Sequence, residues 1–121
     1  MRNATARTAT ALIVILMITL PTCTSKPEPE SLTFFYLPLC PTCPETIAIE
    51  VLMGRIAQLD RDNEHISVTF QDMRNRESAQ RLREFAAERD LAPASFATPT
   101  LFVNDRVYDG FSEVERYLES R

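Results

Sequence analysis

"FFYLPLCPTCPETIAIEVLM", residues 34–53, runs from an aromatic stretch through two cysteines straight into a helical pattern. Leu32–Leu37 is apolar and aromatic but for Thr33, as in a strand buried on both faces and central in its sheet. From Pro44 to Asp60, the residues Ala48, Leu52, Ile56 and Leu59 recur at helical spacing, and Ile49 and Met53 widen the stripe. Cys40 and Cys43 sit between the two elements, separated by Pro41 and Thr42. Two thiols at that spacing can close a disulfide, hold a metal, or pack as small apolar groups.

The sequence downstream completes one domain. In HISVTF, residues 65–70, Ile66, Val68 and Phe70 alternate with His65, Ser67 and Thr69, the period of a strand. A strand, a helix and a strand joined by short links predict a parallel βαβ unit. Glu77–Leu91 reads as a second amphipathic helix, with Ala79, Leu82, Phe85 and Ala86 inward and Glu77/Arg81 placed to pair. Pro93 and Pro99 end the helical pattern, and Thr100–Val103 and Arg106–Tyr108 flank Asn104-Asp105 as a hairpin. Gly110 turns the chain, and Ser112 with Glu115 forms a capping box for a last helix carrying Val114, Tyr117 and Leu118 inward. The order is βαβαββα, an α/β domain over residues 31–121, with no internal repeat.

Composition is that of an ordinary globular chain of 121 residues, 45% hydrophobic and 25% charged. The net charge of −4, with basic and acidic residues interleaved, argues against a nucleic-acid surface. Three cysteines are too few for the disulfide framework of a small secreted domain, and Cys23 stands apart from the pair. Arg2 and Arg7 precede an apolar run, Ala11–Leu20, too short to span a bilayer, and PTC follows. That layout predicts an export signal over residues 1–22. Leu20-Pro21-Thr22-Cys23 resembles the lipobox of bacterial lipoproteins, which implies lipidation of Cys23 and a membrane hold through acyl chains. Residues 23–30 then form a polar tether rich in Pro and Glu.

If Cys40 lies at the start of the first helix, unpaired backbone N–H groups and the helix dipole favour its thiolate. A lowered pKa makes it the better nucleophile. Cys43, one turn on, would be the protected resolving thiol. Pro41 suits the first helical position, whereas Pro44 is placed to delay or kink the helix.

The element order, the Cys-x-x-Cys between first strand and first helix, and Pro99 just before the third strand together resemble the thioredoxin superfamily, over essentially all of residues 31–121. Cys-Pro-x-Cys is the version found in glutaredoxins and periplasmic disulfide oxidoreductases. TPTLFVNDRVYDGFSEVERYL, residues 98–118, is similar to the C-terminal half of small thioredoxin and glutaredoxin domains. The resemblance implies a mixed central sheet with helices on both faces and a cis Pro99 facing the cysteines. It also implies thiol–disulfide exchange with protein substrates, a monomer served by a redox-recycling partner, and no organic cofactor beyond the Cys40-Cys43 disulfide. Pro41, Thr42 and the Thr98 backbone would then contact the substrate chain. Two departures stand out. Leu39 occupies the place of the Trp common in thioredoxins, and no acid lies among Leu32–Leu37 where thioredoxin buries one.

The other readings of the pair are metallic. Zinc needs about four ligands, and beyond Cys40 and Cys43 the domain offers only His65, remote in sequence. A two-coordinate copper(I) site on the two thiolates is the alternative function. Phe34, Phe35 and Tyr36 are expected in the core, whereas Tyr108 and Phe111 lie near the hairpin end, where no apolar period requires them.

Overall fold

The computed structural model describes residues 28–93, 96 and 98–121; the export-signal and lipidation readings, Cys23 included, lie outside the described residues. Four strands and three helices follow in the order β1 (Glu30–Tyr36), α1 (Pro44–Asp62), β2 (Ile66–Asp72), α2 (Arg76–Glu88), β3 (Thr100–Val103), β4 (Arg106–Asp109) and α3 (Phe111–Glu119). They form one α/β unit with a mixed sheet of order β2-β1-β3-β4. β1 runs parallel to β2 and antiparallel to β3, and β3 and β4 make the hairpin.

β1 is central because its side chains are apolar on both faces. Leu32 and Phe34 enter the larger core with Ile49, Leu52 and Ile56 of α1 and Val114, Tyr117 and Leu118 of α3. Phe35 enters a second core on the opposite face, with Leu82 of α2 and Phe102 of β3. Helices therefore cover both faces, two on one side and one on the other. Each large side chain so buried contributes about 1.5–3 kcal/mol relative to exposure. In the second core Phe35, Phe85 and Phe102 meet edge to face, at centroid distances of 5.6, 5.6 and 5.2 Å. The Arg89 guanidinium lies 5.2 and 5.0 Å from the Phe85 and Phe102 centroids and donates to the Asn104 carbonyl.

Four local expectations need correction. The last helix starts at Phe111 with Gly110 as its N-cap, at φ 92° and ψ 164°, and no side chain caps it. Ser112 and Glu115 are thus inside the helix and form no capping box. Glycine reaches a backbone region closed to other residues, so the turn and the cap fall on one residue. Among the described residues Glu77 and Arg81 make no ion pair with each other, consistent with the small net gain of an exposed pair. Glu30 belongs to β1 rather than the tether; its N–H bonds the His65 carbonyl at 2.9 Å and its carboxylate pairs with Arg121. Tyr108 and Phe111 pack against the larger core, with the Tyr108 ring 4.8 Å from Tyr117.

Candidate functional site

Cys40 and Cys43 are joined by a disulfide, with their Cα atoms 5.4 Å apart. The helix that follows begins later than the spacing of Cys40 suggests. α1 starts at Pro44, and Cys43, in extended geometry at φ −70° and ψ 143°, is its N-cap. Pro44, not Pro41, holds the first helical position. The cause is local, since a residue before proline is pushed out of the helical region and Pro44 has no N–H to extend the ladder backward. Residues 40–43 close a separate turn instead, in which the Cys43 N–H donates to the Cys40 carbonyl at 3.4 Å. The first bond of α1 is Ile47 N–H to the Cys43 carbonyl, at 3.1 Å.

This placement changes the electrostatic argument. The unpaired N–H groups at the start of α1 belong to Glu45 and Thr46, and the residue they adjoin is Cys43. Cys40 lies outside the helix and is joined to its N-cap residue through the disulfide. Both cysteines are partly exposed, whereas Pro41, Thr42 and Leu39 are open to solvent, Leu39 at 71%.

The sheet brings the remaining residues to the same end. Thr100 pairs with Phe35, so Pro99 lies level with the end of β1 from which the chain runs to Cys40. The Thr98-Pro99 peptide is cis, and Pro99 is fully buried, its carbonyl accepting the Gly110 N–H at 2.8 Å. Thr98 is partly exposed beside it. His65, at the start of β2, lies at the opposite end of the sheet from the cysteines. Among the described residues no three His, Cys, Asp or Glu side chains cluster as metal ligands.

Two features at this end escaped the sequence reading. Tyr36 and Asp72 are register partners at the C-terminal ends of β1 and β2. Arg74 donates through Nε and Nη2 to the Asp72 carboxylate, at distances down to 2.6 Å, and holds its pKa below the ordinary value. Burial, with the Asp72 charge adding, raises that of the Tyr36 phenol. The other feature is Thr46, in the first turn of α1. It is 5% exposed and its Oγ1 has no hydrogen-bond partner among the described residues. A polar residue flanked by Glu45 and Ile47 gives no sequence signal of such burial.

No family model, curated protein or solved structure matches the chain.

Proposed function

We propose that this domain is a thiol–disulfide oxidoreductase of the thioredoxin type, exported and held at a membrane through acyl chains on Cys23. The observation that carries the reading is the disulfide between Cys40 and Cys43 at the junction of β1 and α1, with the cis Thr98-Pro99 peptide at the same end of the sheet. The βαβαββα order and helices on both faces of a mixed sheet support it.

In the reducing direction, Cys40, the cysteine outside the helix, attacks as its thiolate one sulfur of a client disulfide, an assignment that single-thiol variants decide. A mixed disulfide forms, and the other client sulfur leaves as a thiolate. The Cys43 thiolate then attacks the Cys40 sulfur, closing the Cys40-Cys43 disulfide and releasing the second client thiol. Two electrons pass to the client, and a recycling dithiol must return them. The oxidising direction is the same sequence reversed. Pro99, buried at the same end of the sheet, shapes the floor of the client groove in this reading, and Pro41, Thr42 and the Thr98 backbone receive the client chain as an added strand.

Variants that each keep one thiol provide the test. Cys43→Ala should accumulate mixed disulfides with client proteins that a reductant dissolves, and Cys40→Ala should trap few. Trapping by Cys40→Ala alone would exchange the two roles. Copper(I) retained by the unaltered protein through a chelator challenge, with no exchange of protein disulfides, would assign the pair to metal binding. The anchor is tested separately: Cys23→Ser, expressed in a bacterium, should lose both fatty-acid labelling and membrane association.

A further inference from the structure

Helix α1 has a second apolar face. Its sheet side buries Thr46, Ile49, Leu52 and Ile56. Away from the sheet, Pro44, Ile47, Ala48 and Val51 recur at i, i+3, i+4 and i+7, a single stripe that begins at the residue after Cys43. Ile47 is 54% and Val51 57% exposed, among the few large apolar side chains left open to solvent. Beside the stripe, Pro44 and Ala48 of α1 and Phe111 of α3 line a groove of about 320 Å³. Its remaining lining is two carboxylates, Glu45 and Glu115. Neither forms an ion pair among the described residues, since the nearby Arg116 is taken by Glu113 at 3.0 Å. Arg55, one turn beyond Val51, ends the stripe, so the surface reads acidic, apolar, basic with increasing distance from the disulfide.

We propose that this stripe and groove choose the partner of the exchange reaction. The occupant is a protein segment that carries an apolar side chain near its reacting cysteine and a Lys or Arg beside it. The apolar side chain lies along Ile47 and Val51 and into the groove of Pro44, Ala48 and Phe111, and the cation meets Glu45 and Glu115. The inference rests on the oxidoreductase reading, because the mixed disulfide on Cys40, four residues before Pro44, supplies the hold. Once that bond forms, contact with the groove is intramolecular, and interactions too weak to bind a free partner suffice to select one. A second copy is a poorer occupant, since two large exposed side chains fall short of the roughly 1,200 Å² a stable interface buries. An anionic membrane is poorer still, because it would face two carboxylates on a chain of net charge −4.

Stopped-flow exchange of the reduced protein with disulfide-closed peptides tests this. One peptide carries Leu and Arg beside its cysteine, a second Leu and Glu, a third Ser and Arg; a small uncharged disulfide is the reference. We expect the Leu/Arg peptide to react about tenfold faster than the Leu/Glu peptide, a difference of ~1.4 kcal/mol. The preference over the Leu/Glu peptide should invert in Glu45→Gln/Glu115→Lys, and that over the Ser/Arg peptide should vanish in Ile47→Ser/Val51→Ser. Equal rates with all three peptides, while the small disulfide is exchanged, would overturn the proposal and leave the oxidoreductase reading standing. Failure to exchange the small disulfide would remove both. A dimer in sedimentation, or binding to neutral lipid vesicles, abolished by Ile47→Ser/Val51→Ser would give the stripe to a second copy or to lipid and overturn the proposal as well.

Discussion

Cys40 and Pro44 are four residues apart, and the hydrogen bond that a helix would place between them cannot form, because Pro44 has no N–H. The Cys40 carbonyl takes the Cys43 N–H instead, at 3.4 Å, and the disulfide lies in a turn that precedes α1. Pro44→Ala supplies the missing donor and should let α1 begin nearer Cys40. The helix end would then act on the Cys40 sulfur directly and lower its pKa. Stabilising the reduced form makes the pair more oxidising, by roughly 30 mV for each unit of differential thiolate stabilisation. The Cys40 pKa, titrated in Cys43→Ala with and without Pro44→Ala, and the potential of the intact pair against a glutathione buffer check both steps.

Thr46 should show stability opposed to function. Its buried, unpartnered Oγ1 carries an uncompensated desolvation cost, and Val has nearly the same shape. Thr46→Val is expected to raise stability by about 1 kcal/mol, measured by chemical denaturation. No acid lies among Leu32–Leu37, and we take this hydroxyl, in the first turn after Cys43, as the group to test as a donor to the Cys43 thiolate of the reduced protein. The same variant should therefore slow release of the mixed disulfide, read as a longer-lived intermediate in quenched-flow trapping.

Gly110 and Ser112 exchange the importance that the sequence pattern gives them. At φ 92° and ψ 164° Gly110 occupies a region that side chains exclude, although an added Cβ would meet no atom within 4 Å. Gly110→Ala should therefore cost about 1–3 kcal/mol through backbone strain alone. Ser112→Ala, an exposed change within the helix, should stay within roughly 0.5 kcal/mol. Urea midpoints of the two variants decide the order.

Tyr117 predicts how the fold fails in alkali. Burial, with Tyr108 adding, pushes its phenol up to about 12, and Arg121 donates to the phenol oxygen at 3.0 and 2.8 Å. An acid whose folded pKa is raised holds its proton more tightly folded than unfolded. Its contribution is complete below the ordinary tyrosine value of about 10 and is lost as pH rises toward 12. Tyr117→Phe should flatten the fall in melting temperature over that interval, and the Tyr117 share of the phenolate absorbance, taken as the difference between the unaltered protein and Tyr117→Phe, should rise only as the fold is lost.

The fold was legible wherever burial is periodic. The apolar run of β1, the alternation of Ile66, Val68 and Phe70 and the stripe of α1 each have one solution, and the register of β1 with β2 and β3 follows from burying Phe34 and Phe35 on opposite faces. The cysteines, Pro99 and the hairpin turn at Asn104, at φ 51°, were legible from residue type. Boundaries set by a single backbone group were harder. Pro41 and Pro44 both suit a helix start, and only the absent donor at position 44 decides between them. What stayed hidden depends on contacts distant in sequence: Asp72 beside Tyr36, Glu30 beside Arg121, and the meeting of Phe111 with Ala48.

The pairing of Glu30 with Arg121 gives the domain a front and a back. It ties the entry of β1 to the segment just after α3, and the Ser31 N–H adds a bond to the Asn104 side chain at 2.9 Å. From there β1 carries the backbone about 20 Å before it leaves toward Cys40. Whatever is attached ahead of Glu30 or behind Arg121, whether a tether, a tag or another protein, therefore joins at the pole opposite the disulfide. The disulfide thus occupies the end of the domain away from both Glu30 and Arg121, so a group joined at either residue leaves Cys40 and Cys43 uncovered.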